Sequence, residues 1–437
     1  MNQIEIITLK EHDSWPKTEK EKETAAQLSS GFTNSDDKLI NFLKDKEILT
    51  IRKLEKAGLE IETKQFIGSV RFSNFHLKIL PKFFSDNDKN WKNLISCIHF
   101  AYDYDTDHFI EYEKIPFEDE NENYDLVDFI VWGLVNECNN LIKRGLLKSY
   151  VEHEENMPYL KGKLVIKHQI VNDMHKKLQF YCEYDELEFD NIENRILLDT
   201  LILCEKIVKS NTLKRHLFIQ IQQLNRLVQK IPISISDIER VMNSYNMQNL
   251  HYKNAHSLCK LIKENVSISD IYEGNTSFAI PFFLDMNKIF EDFVTKLLQE
   301  YYSGLFVDVQ IRKRAWVYGN KKHDMIPDLL LTDENKKIKK IIDVKYKDEL
   351  LISDLYQIGF YISEYSFKYK FGEEAFAILP EFEGTTRVDK YTATESQIKI
   401  NVRYISILDI IEQIKNDDSK IPDLLSSLLD KPVLFTT

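Results

Sequence analysis

The sequence IPDLLLTDENKKIKKIIDVKY at residues 326–346 contains two apolar runs on either side of a short polar turn. This pattern is typical of a β-hairpin. If Leu331 pairs with Lys340, Asp328 falls opposite Asp343 on the neighbouring strand. The two strands are otherwise apolar on both faces, as in the central strands of a sheet that is covered on both sides. We therefore expect this hairpin to lie in the interior of its domain.

Two acids and a lysine meet at the end of this predicted hairpin. Side chains alternate along a strand, so Asp343 and Lys345 share the face on which Asp328 lies. Paired carboxylates bind Mg²⁺, a hard cation that prefers oxygen ligands. The ion can activate water and stabilise charge on a scissile phosphate, while the lysine orients or deprotonates the nucleophile. By itself, the pattern Pro-Asp…Asp-x-Lys also occurs by chance at the charged ends of strands.

The segments on both sides of the hairpin support the chemical interpretation. Apolar residues between 286 and 301 follow one helical stripe, with Glu291 at its edge. After the hairpin, a second helix is predicted with Ser353 as its N-cap. Gln357 and Tyr361 are four residues apart and share one face of that helix, although core packing would also explain Tyr361 alone.

The order of these motifs resembles that of the PD-(D/E)XK nucleases, which place an acid on the helix before the sheet and often carry Gln-x-x-x-Tyr on the helix after it. This resemblance implies a catalytic set of six residues: Asp328, Asp343, Lys345, Glu291, Gln357 and Tyr361. Within this set, Asp328, Asp343 and Glu291 would ligate Mg²⁺, with Mn²⁺ as an alternative ion. Gln357 and Tyr361 would support the site or hold a phosphate.

A basic segment lies between the first helix and the hairpin. No acid occurs between residues 312 and 323, where Trp316 and Tyr318 alternate with cations. Basic side chains mixed with aromatic ones are suited to the DNA backbone, and the predicted phosphate contacts are Arg312, Lys313 and Arg314. The alternative is an exposed strand edge that its charges protect against aggregation.

The rest of the chain suggests a multi-domain α+β protein. We predict a β-rich N-terminal domain at 1–110, a mostly helical middle region at 111–268 and a PD-(D/E)XK nuclease domain at 269–437. The N-terminal evidence is a helix predicted over 36–58 and a hairpin predicted over 66–82. Eight acids between 111 and 128 predict a solvated boundary loop.

Composition limits the function. The 437 residues carry a formal charge of −12, which argues against a protein that coats nucleic acid without specificity. No apolar run is long enough to span a membrane, the N-terminus lacks the pattern of a signal peptide, and the five cysteines form no Cys-x-x-Cys pair. We expect a cytoplasmic protein with reduced thiols. The chain also lacks a Gly-x4-Gly-Lys-Ser/Thr loop, so no bound nucleotide is expected.

Beyond the hairpin, the chain resembles McrC, the nuclease subunit of McrBC-type modification-dependent restriction systems. Five stretches carry the resemblance, which extends over roughly residues 60–365: FIGSVRFSNFHLKILPK (66–82), KRGLLKSYVEHEENMPYLKGK (143–163), DELEFDNIENR (185–195), MNKIFEDF (286–293) and DLYQ (354–357). For Glu154–Pro158, within the second stretch, we favour a capping or turn role, or contact with a partner, over catalysis.

The resemblance implies a Mg²⁺-dependent DNA endonuclease that acts in anti-phage defence. Such subunits bind a hexameric AAA+ GTPase of the McrB type, stimulate its hydrolysis and cut double-stranded DNA. Recognition of the target, often methylated cytosine, belongs to the partner. The N-terminal domain at 1–110 would couple this chain to the motor. Two alternatives remain: a stand-alone PD-(D/E)XK repair or recombination nuclease, and a non-catalytic regulatory subunit of an AAA+ motor.

Overall fold

The computed structural model describes residues 5–28, 31–54, 58–82, 89–101, 126–208, 210–266, 281–302, 305–310, 313–318, 321–369, 374–381, 388–393 and 398–429. The protein has a mixed α+β fold, as expected, and divides into two compact units. The first unit combines residues 1–118 with 271–437, and the second comprises residues 119–270. The predicted division into three domains remains a prediction.

The N-terminal part of the first unit is rich in strands. Its elements are β1 (Glu5–Lys10), β2 (Ser14–Trp15), α1 (Glu19–Leu28), α2 (Asn34–Asp45), β3 (Leu49–Leu54), β4 (Gly58–Thr63), β5 (Phe66–Arg71), β6 (Phe75–Leu80) and α3 (Lys89–Ala101). The predicted hairpin over 66–82 is confirmed, because β5 and β6 pair antiparallel with Val70 opposite Leu77.

The helix predicted over 36–58 is wrong in its second half. The helix begins after a capping box formed by Thr33 and Asp36 and ends at Asp45, and residues 49–54 form the strand β3. Leu49 and Ile51 are buried in the core of this β-rich part. Apolar residues at these positions fit a helical period and a short strand equally well, and the pairing of β3 with β4 selects the strand.

The second unit is mainly helical but contains a small sheet. Its elements are α4 (Leu126–Arg144), β7 (Ser149–Met157), β8 (Lys163–Leu164), α5 (Ile166–Met174), β9 (Phe180–Glu188), α6 (Ile192–Ile207), α7 (Asn211–Leu224), α8 (Ile235–Met242) and α9 (Lys253–Asn265). We call residues 149–188 the arm.

The capping or turn role favoured for Glu154–Pro158 is wrong for 154–157, which belong to β7. Of the acidic run, residues 111–125 lie outside the described residues, and Asp128 is buried in α4 rather than solvated.

Two buried amides fix the base of the arm to the helical body. Asn194 on α6 donates hydrogen bonds to the carbonyl oxygens of Leu147 (2.9 Å) and Phe189 (2.7 Å), which flank the arm in sequence. Asn191 donates a third, also to Leu147 (2.9 Å). Buried amides that are fully paired in this way hold the backbone in one arrangement.

The C-terminal part of the first unit contains the predicted hairpin. Its elements are β10 (Phe282–Asp285), α10 (Met286–Tyr301), β11 (Phe306–Val309), β12 (Lys313–Tyr318), β13 (Lys321–Met325), β14 (Leu329–Thr332), β15 (Ile338–Val344), α11 (Ile352–Tyr369), β16 (Glu374–Pro380), β17 (Val388–Thr392), β18 (Lys399–Ile405), α12 (Ile407–Asn416) and α13 (Ile421–Leu429). The helix predicted over 286–301 is confirmed.

Six of these strands form one mixed sheet in the order β11-β14-β15-β16-β18-β17. α11 connects β15 to the parallel strand β16 and packs on one face of the sheet, where Ile358 and Tyr361 lie in the same core cluster as Ala377. On the other face, Ile378 lines a small apolar space with Leu297 of α10 and Leu428 of α13. The prediction that the hairpin belongs to a covered sheet is confirmed.

The strand β10 belongs to a different sheet, whose other three strands come from the N-terminal part of the chain. That sheet has the order β1-β6-β5-β10, with Phe283 of β10 opposite Gly68 of β5. Residues 282–285 thus complete a sheet whose other strands lie between residues 5 and 80. Among the described residues, no helix is long and apolar enough to cross a membrane.

We expect Gly68→Ala to destabilise the first unit strongly. Gly68 has a φ of +144°, and a Cβ atom there would lie 2.0 Å from the carbonyl oxygen of Phe282. Because that atom is backbone, β5 and β10 would have to separate, at a cost of about 3 kcal/mol or more. Thermal unfolding measures the effect. Gly145→Ala is the control, since Gly145 also has a positive φ (+102°) but has open space around it. Equal losses in the two variants would argue against tight β5–β10 pairing.

Candidate active site

The register of the central hairpin brings the two predicted acids together. β14 and β15 pair antiparallel with Leu331 opposite Lys340, as the sequence predicts. Asp328 directly precedes β14, and Asp343 is the penultimate residue of β15. The Asp328 carboxylate accepts a hydrogen bond from the backbone N–H of Val344 at 2.7 Å, which ties the start of one strand to the end of the other.

The electrostatics of this pair are unusual. Asp343 is fully buried, and apart from an ion pair with Lys345 its carboxylate oxygens accept no hydrogen bond from a described residue. Burial and the neighbouring Asp343 raise the pKa of Asp328 to about 7. Burial also raises the pKa of Asp343, and Lys345 offsets part of this rise. Two acids in one low-dielectric site cannot both ionise without a compensating charge.

Lys345 supplies part of the compensating charge. Its Nζ atom lies 3.0 Å from the nearer oxygen of Asp343. Burial alone would lower the pKa of Lys345, but the carboxylates of Asp343 and Asp328 outweigh it, so this pKa is raised and the lysine keeps its proton. One ammonium faces two acids, and the cluster is left short of positive charge.

The donor set fits a divalent metal ion. Apart from the ion pair with Lys345, the two buried oxygens of Asp343 have no hydrogen-bond partner among the described residues, which is costly unless another group binds them. Asp328 lies close enough for the charge of Asp343 to add to the rise in its pKa. Carboxylate oxygens are the ligands that Mg²⁺ and Mn²⁺ prefer.

Gln310, which the sequence analysis did not single out, connects Glu291, the third predicted acid, to the pair of Asp328 and Asp343. Its side-chain amide donates to Glu291 Oε1 at 2.9 Å, and its backbone N–H donates to the carbonyl oxygen of Asp328 at 2.9 Å. Glu291 also adds to the rise in the pKa of Asp328, after burial and Asp343. Gln310 has a φ of +46°, a conformation that is uncommon for a residue with a side chain and often marks a functional site. A lone glutamine after a strand carries no sequence signal.

The glutamine–tyrosine pair supports the loop that carries Asp328. On α11, Gln357 donates to the hydroxyl oxygen of Tyr361 at 2.7 Å, and that hydroxyl donates to the carbonyl oxygen of Ile326 at 3.2 Å. Ile326 is two residues before Asp328. The predicted N-cap is wrong: α11 begins at Ile352, so Ser353 lies inside its first turn.

The predicted DNA contacts are only partly described. Arg312 lies outside the described residues. The backbones of Lys313 and Arg314 belong to β12, which pairs antiparallel with β13, but their side chains are not among those described. The assignment of these three cations to DNA binding therefore stays a prediction.

Two further groups of potential metal ligands lie on the arm. His153, Glu186 and Glu188 form one, and Glu152, Glu154 and Glu183 form the other. Lysines already neutralise part of each group, since Lys161 lies 2.9 Å from Glu186 and Lys163 lies 2.8 Å from Glu183. These groups form a ladder of ion pairs across exposed strands.

Comparison with known proteins identifies the family of the chain. A family model described as McrBC 5-methylcytosine restriction system component matches residues 61–371. The match covers more than half of the chain, so this protein belongs to the McrBC family of restriction system components. The resemblance found in the sequence is thereby confirmed at the level of the family. No curated protein matches the chain.

Two solved structures match the chain, and the first of them is similar in fold. One is a chain from the half-complex of a tetradecameric assembly of Thermococcus gammatolerans McrB AAA+ hexamers with bound McrC. It is 19% identical with a TM-score of 0.62, and the alignment covers 95% of this chain and 100% of that one. The other is from the Thermococcus gammatolerans McrBC complex. It is 23% identical with a TM-score of 0.48, and the alignment covers 68% of this chain and 88% of that one.

We expect the stability of the metal-free protein to depend on Asp328 in a defined direction. The pKa of Asp328 is about 7 in the folded chain against an ordinary value of 3.8. A raised pKa means that the folded chain binds this proton more tightly than the unfolded chain, so the protonated carboxyl group stabilises the fold. This contribution is complete below the ordinary pKa and is lost as the pH rises through the pKa of the folded chain, at up to about 1.4 kcal/mol per pH unit. Asp328→Asn removes this titration. In EDTA, the melting temperature of Asp328→Asn relative to that of the wild type should therefore rise between about pH 4 and pH 7.

Asp308→Asn on β11 is the control for loss of a carboxylate in the same sheet. The difference in melting temperature between Asp308→Asn and the wild type should not follow this pH dependence. Above pH 7, millimolar Mg²⁺ should raise the melting temperature of the wild type more than that of Asp328→Asn. A difference that stays flat across the pH range would contradict the buried-pair interpretation.

Proposed function

We propose that this chain is the nuclease subunit of an McrBC-type restriction system and hydrolyses phosphodiester bonds in double-stranded DNA with Mg²⁺. The observation that carries the proposal is the fully buried Asp343 with the half-buried Asp328 and Lys345 beside it. Membership of the McrBC family supports the restriction context. A structural role alone does not account for a buried acid and a half-buried acid that share one lysine, because an ordinary sheet would place apolar residues there.

The order of elements around the pair supports a PD-(D/E)XK nuclease domain. α10 carries Glu291, the hairpin of β14 and β15 carries the acids, and α11 carries Gln357 and Tyr361. This order of elements is the same as the order of motifs in the nuclease pattern. An intact set also speaks against a purely regulatory subunit, in which at least one member is commonly lost.

Each residue has a definable task in phosphodiester hydrolysis. A bound Mg²⁺ would supply charge stabilisation and a more acidic water. Asp328 and Asp343 would hold the ion, and Gln310 keeps Glu291 beside them. The Lys345 ammonium, held against Asp343, would orient the attacking water and balance the charge that develops on the phosphate. Tyr361 would fix the loop before Asp328 through the carbonyl group of Ile326.

For the partner we propose a hexameric AAA+ GTPase of the McrB type. The fold is similar to that of a chain from an assembly of McrB AAA+ hexamers with bound McrC, and this chain lacks a phosphate-binding loop of its own. The arm is a suitable contact surface, because it exposes apolar side chains that isolated surfaces seldom expose together: Ile166 (69%), Ile170 (54%), Met174 (78%) and Leu178 (96%). Coupling through the N-terminal domain stays a prediction.

We expect Asp343→Ala to abolish DNA cleavage, with a loss of at least about 100-fold, since a ligand that stabilises the transition state is removed. Binding to the GTPase partner and stimulation of its hydrolysis should be largely unchanged. The measurement is cleavage of methylated plasmid by the assembled complex, with GTP hydrolysis followed in parallel. Asp423→Ala, an exposed acid on α13, is the control and should cut normally.

Cleavage by Asp343→Ala at the wild-type rate would refute the site assignment. Efficient cutting of free DNA ends by the wild-type chain without a partner would instead favour a stand-alone repair nuclease. Normal GTPase stimulation by a wild-type chain that never cuts DNA would favour the regulatory alternative.

We expect the triple variant Arg312→Ala, Lys313→Ala and Arg314→Ala to weaken DNA binding. Each phosphate contact releases counterions, so the slope of log affinity against log salt should fall by about 2–3. DNA binding measured at several salt concentrations gives the slope. Replacing Lys17, Lys20 and Lys22 with Ala removes the same charge near α1 and should leave the slope unchanged. An unchanged slope with lower solubility of the triple variant would support the protected-edge alternative.

A further inference from the structure

A buried acid marks the end of the N-terminal sheet. Strands β1 and β6 are parallel neighbours with Lys10 opposite Leu80, and Glu11 follows directly after β1. Glu11 is 1% exposed, its backbone N–H donates to the carbonyl oxygen of Leu80, and its carboxylate accepts a hydrogen bond from the backbone N–H of Lys82 at 2.8 Å. A carboxyl group at this depth is expensive and stays only where specific partners hold it.

The other partner of Glu11 is the residue that follows the predicted catalytic lysine. The hydroxyl group of Tyr346 donates a hydrogen bond to the same oxygen of Glu11. The ring of Tyr346 is 4% exposed and packs against Phe290, with ring centroids 5.8 Å apart. Tyr346 adjoins Lys345 in sequence, and Phe290 adjoins Glu291. The side chain of Tyr346 therefore connects the N-terminal sheet to residues that lie next to two site residues, Lys345 and Glu291.

Three more contacts hold the short segment 345–348 that contains Tyr346. Lys347 binds both carboxylate oxygens of Asp354 on α11 at 2.9 Å. Asp348 forms an ion pair with Lys82 at 2.8 Å. At the start of the segment, the backbone N–H of Lys345 donates to the carbonyl oxygen of Ile378 at 2.9 Å. Four consecutive residues after β15 are thus fixed although they form no helix or strand.

We propose that Glu11 and Tyr346 are positioning residues, which hold the peptide after β15 so that the Lys345 ammonium stays against Asp343. This inference rests on the proposed nuclease function. Lys345 follows the end of β15 and has a long side chain, so the strand alone does not fix where its ammonium lies. A displacement of about 1 Å in a reacting group can lower a rate by about 100-fold. The N-terminal sheet is then part of the support of the catalytic site, 335 residues away in sequence from the tyrosine that it holds.

The test is Tyr346→Phe, which removes one hydroxyl group and keeps the ring against Phe290. In the complex assembled with partner, GTP and Mg²⁺, we expect kcat for DNA cleavage to fall by about 10-fold or more while KM for DNA stays within about twofold. Tyr301→Phe is the matched control, because it removes a tyrosine hydroxyl bonded to Asp418 at the far end of α10. It should cleave at the wild-type rate.

Glu11 provides a second, independent pair of variants. Glu11→Gln keeps an acceptor oxygen for Tyr346 and should retain the rate within about threefold, whereas Glu11→Ala should match the loss in Tyr346→Phe. A general loss of stability would lower the apparent kcat in proportion to the folded fraction, which a melting curve of each variant measures, and would not follow this ordering. If either alanine or phenylalanine variant fails to fold, the glutamine variant and the remaining one still decide the matter.

Hydrogen exchange of the backbone amides of 345–348 gives a readout that does not require cleavage. We expect faster exchange in Tyr346→Phe and not in Tyr301→Phe. If Tyr346→Phe cleaves and exchanges like the wild type while Asp343→Ala is inactive, the positioning role is refuted and the nuclease function stands. If the wild type does not cleave DNA, the proposed function fails, and the exchange rates alone decide whether Glu11 and Tyr346 hold this segment.

Discussion

The antiparallel pairing of β14 with β15 sets the distance between Asp328 and Asp343, and the rest of the C-terminal part is arranged around it. Two carboxyl groups that meet at the ends of central strands lose hydration that the protein has to replace. The backbone N–H of Val344 and the ammonium of Lys345 replace part of it. The remaining deficit of positive charge is the reason that the proposed function includes a metal ion.

Neighbouring elements stabilise this arrangement in different ways. α11 covers one face of the sheet and reaches back through Tyr361 to the loop before Asp328. β11 ends in Gln310, which contacts both that loop and α10. The N-terminal sheet contributes through β10, which it takes up as an edge strand, and through Glu11. The first unit is therefore built from both ends of the chain, and the second unit is the stretch between them.

Sequence reasoning was accurate where the evidence is local. The hairpin follows from two apolar runs on either side of one polar turn, and α10 follows from a single uninterrupted apolar stripe. It failed for residues 49–54, where a short apolar run fits two periods and only the pairing of β3 with β4 selects between them. It also missed the strands of the arm, whose charged and exposed residues give little hydrophobic pattern.

The sequence by itself determined the candidate site, because Asp328, Asp343 and Lys345 lie within one hairpin and strand geometry fixes their relation. The resemblance to the nuclease pattern added Glu291, Gln357 and Tyr361 to that prediction. The tertiary structure alone decided how these groups are held. Gln310 contacts Glu291 across 19 residues, and Glu11 contacts Tyr346 across 335. Contacts between distant residues leave no periodic pattern in a sequence. The fold brings the two partners together, and the residues next to each partner along the chain do not indicate it.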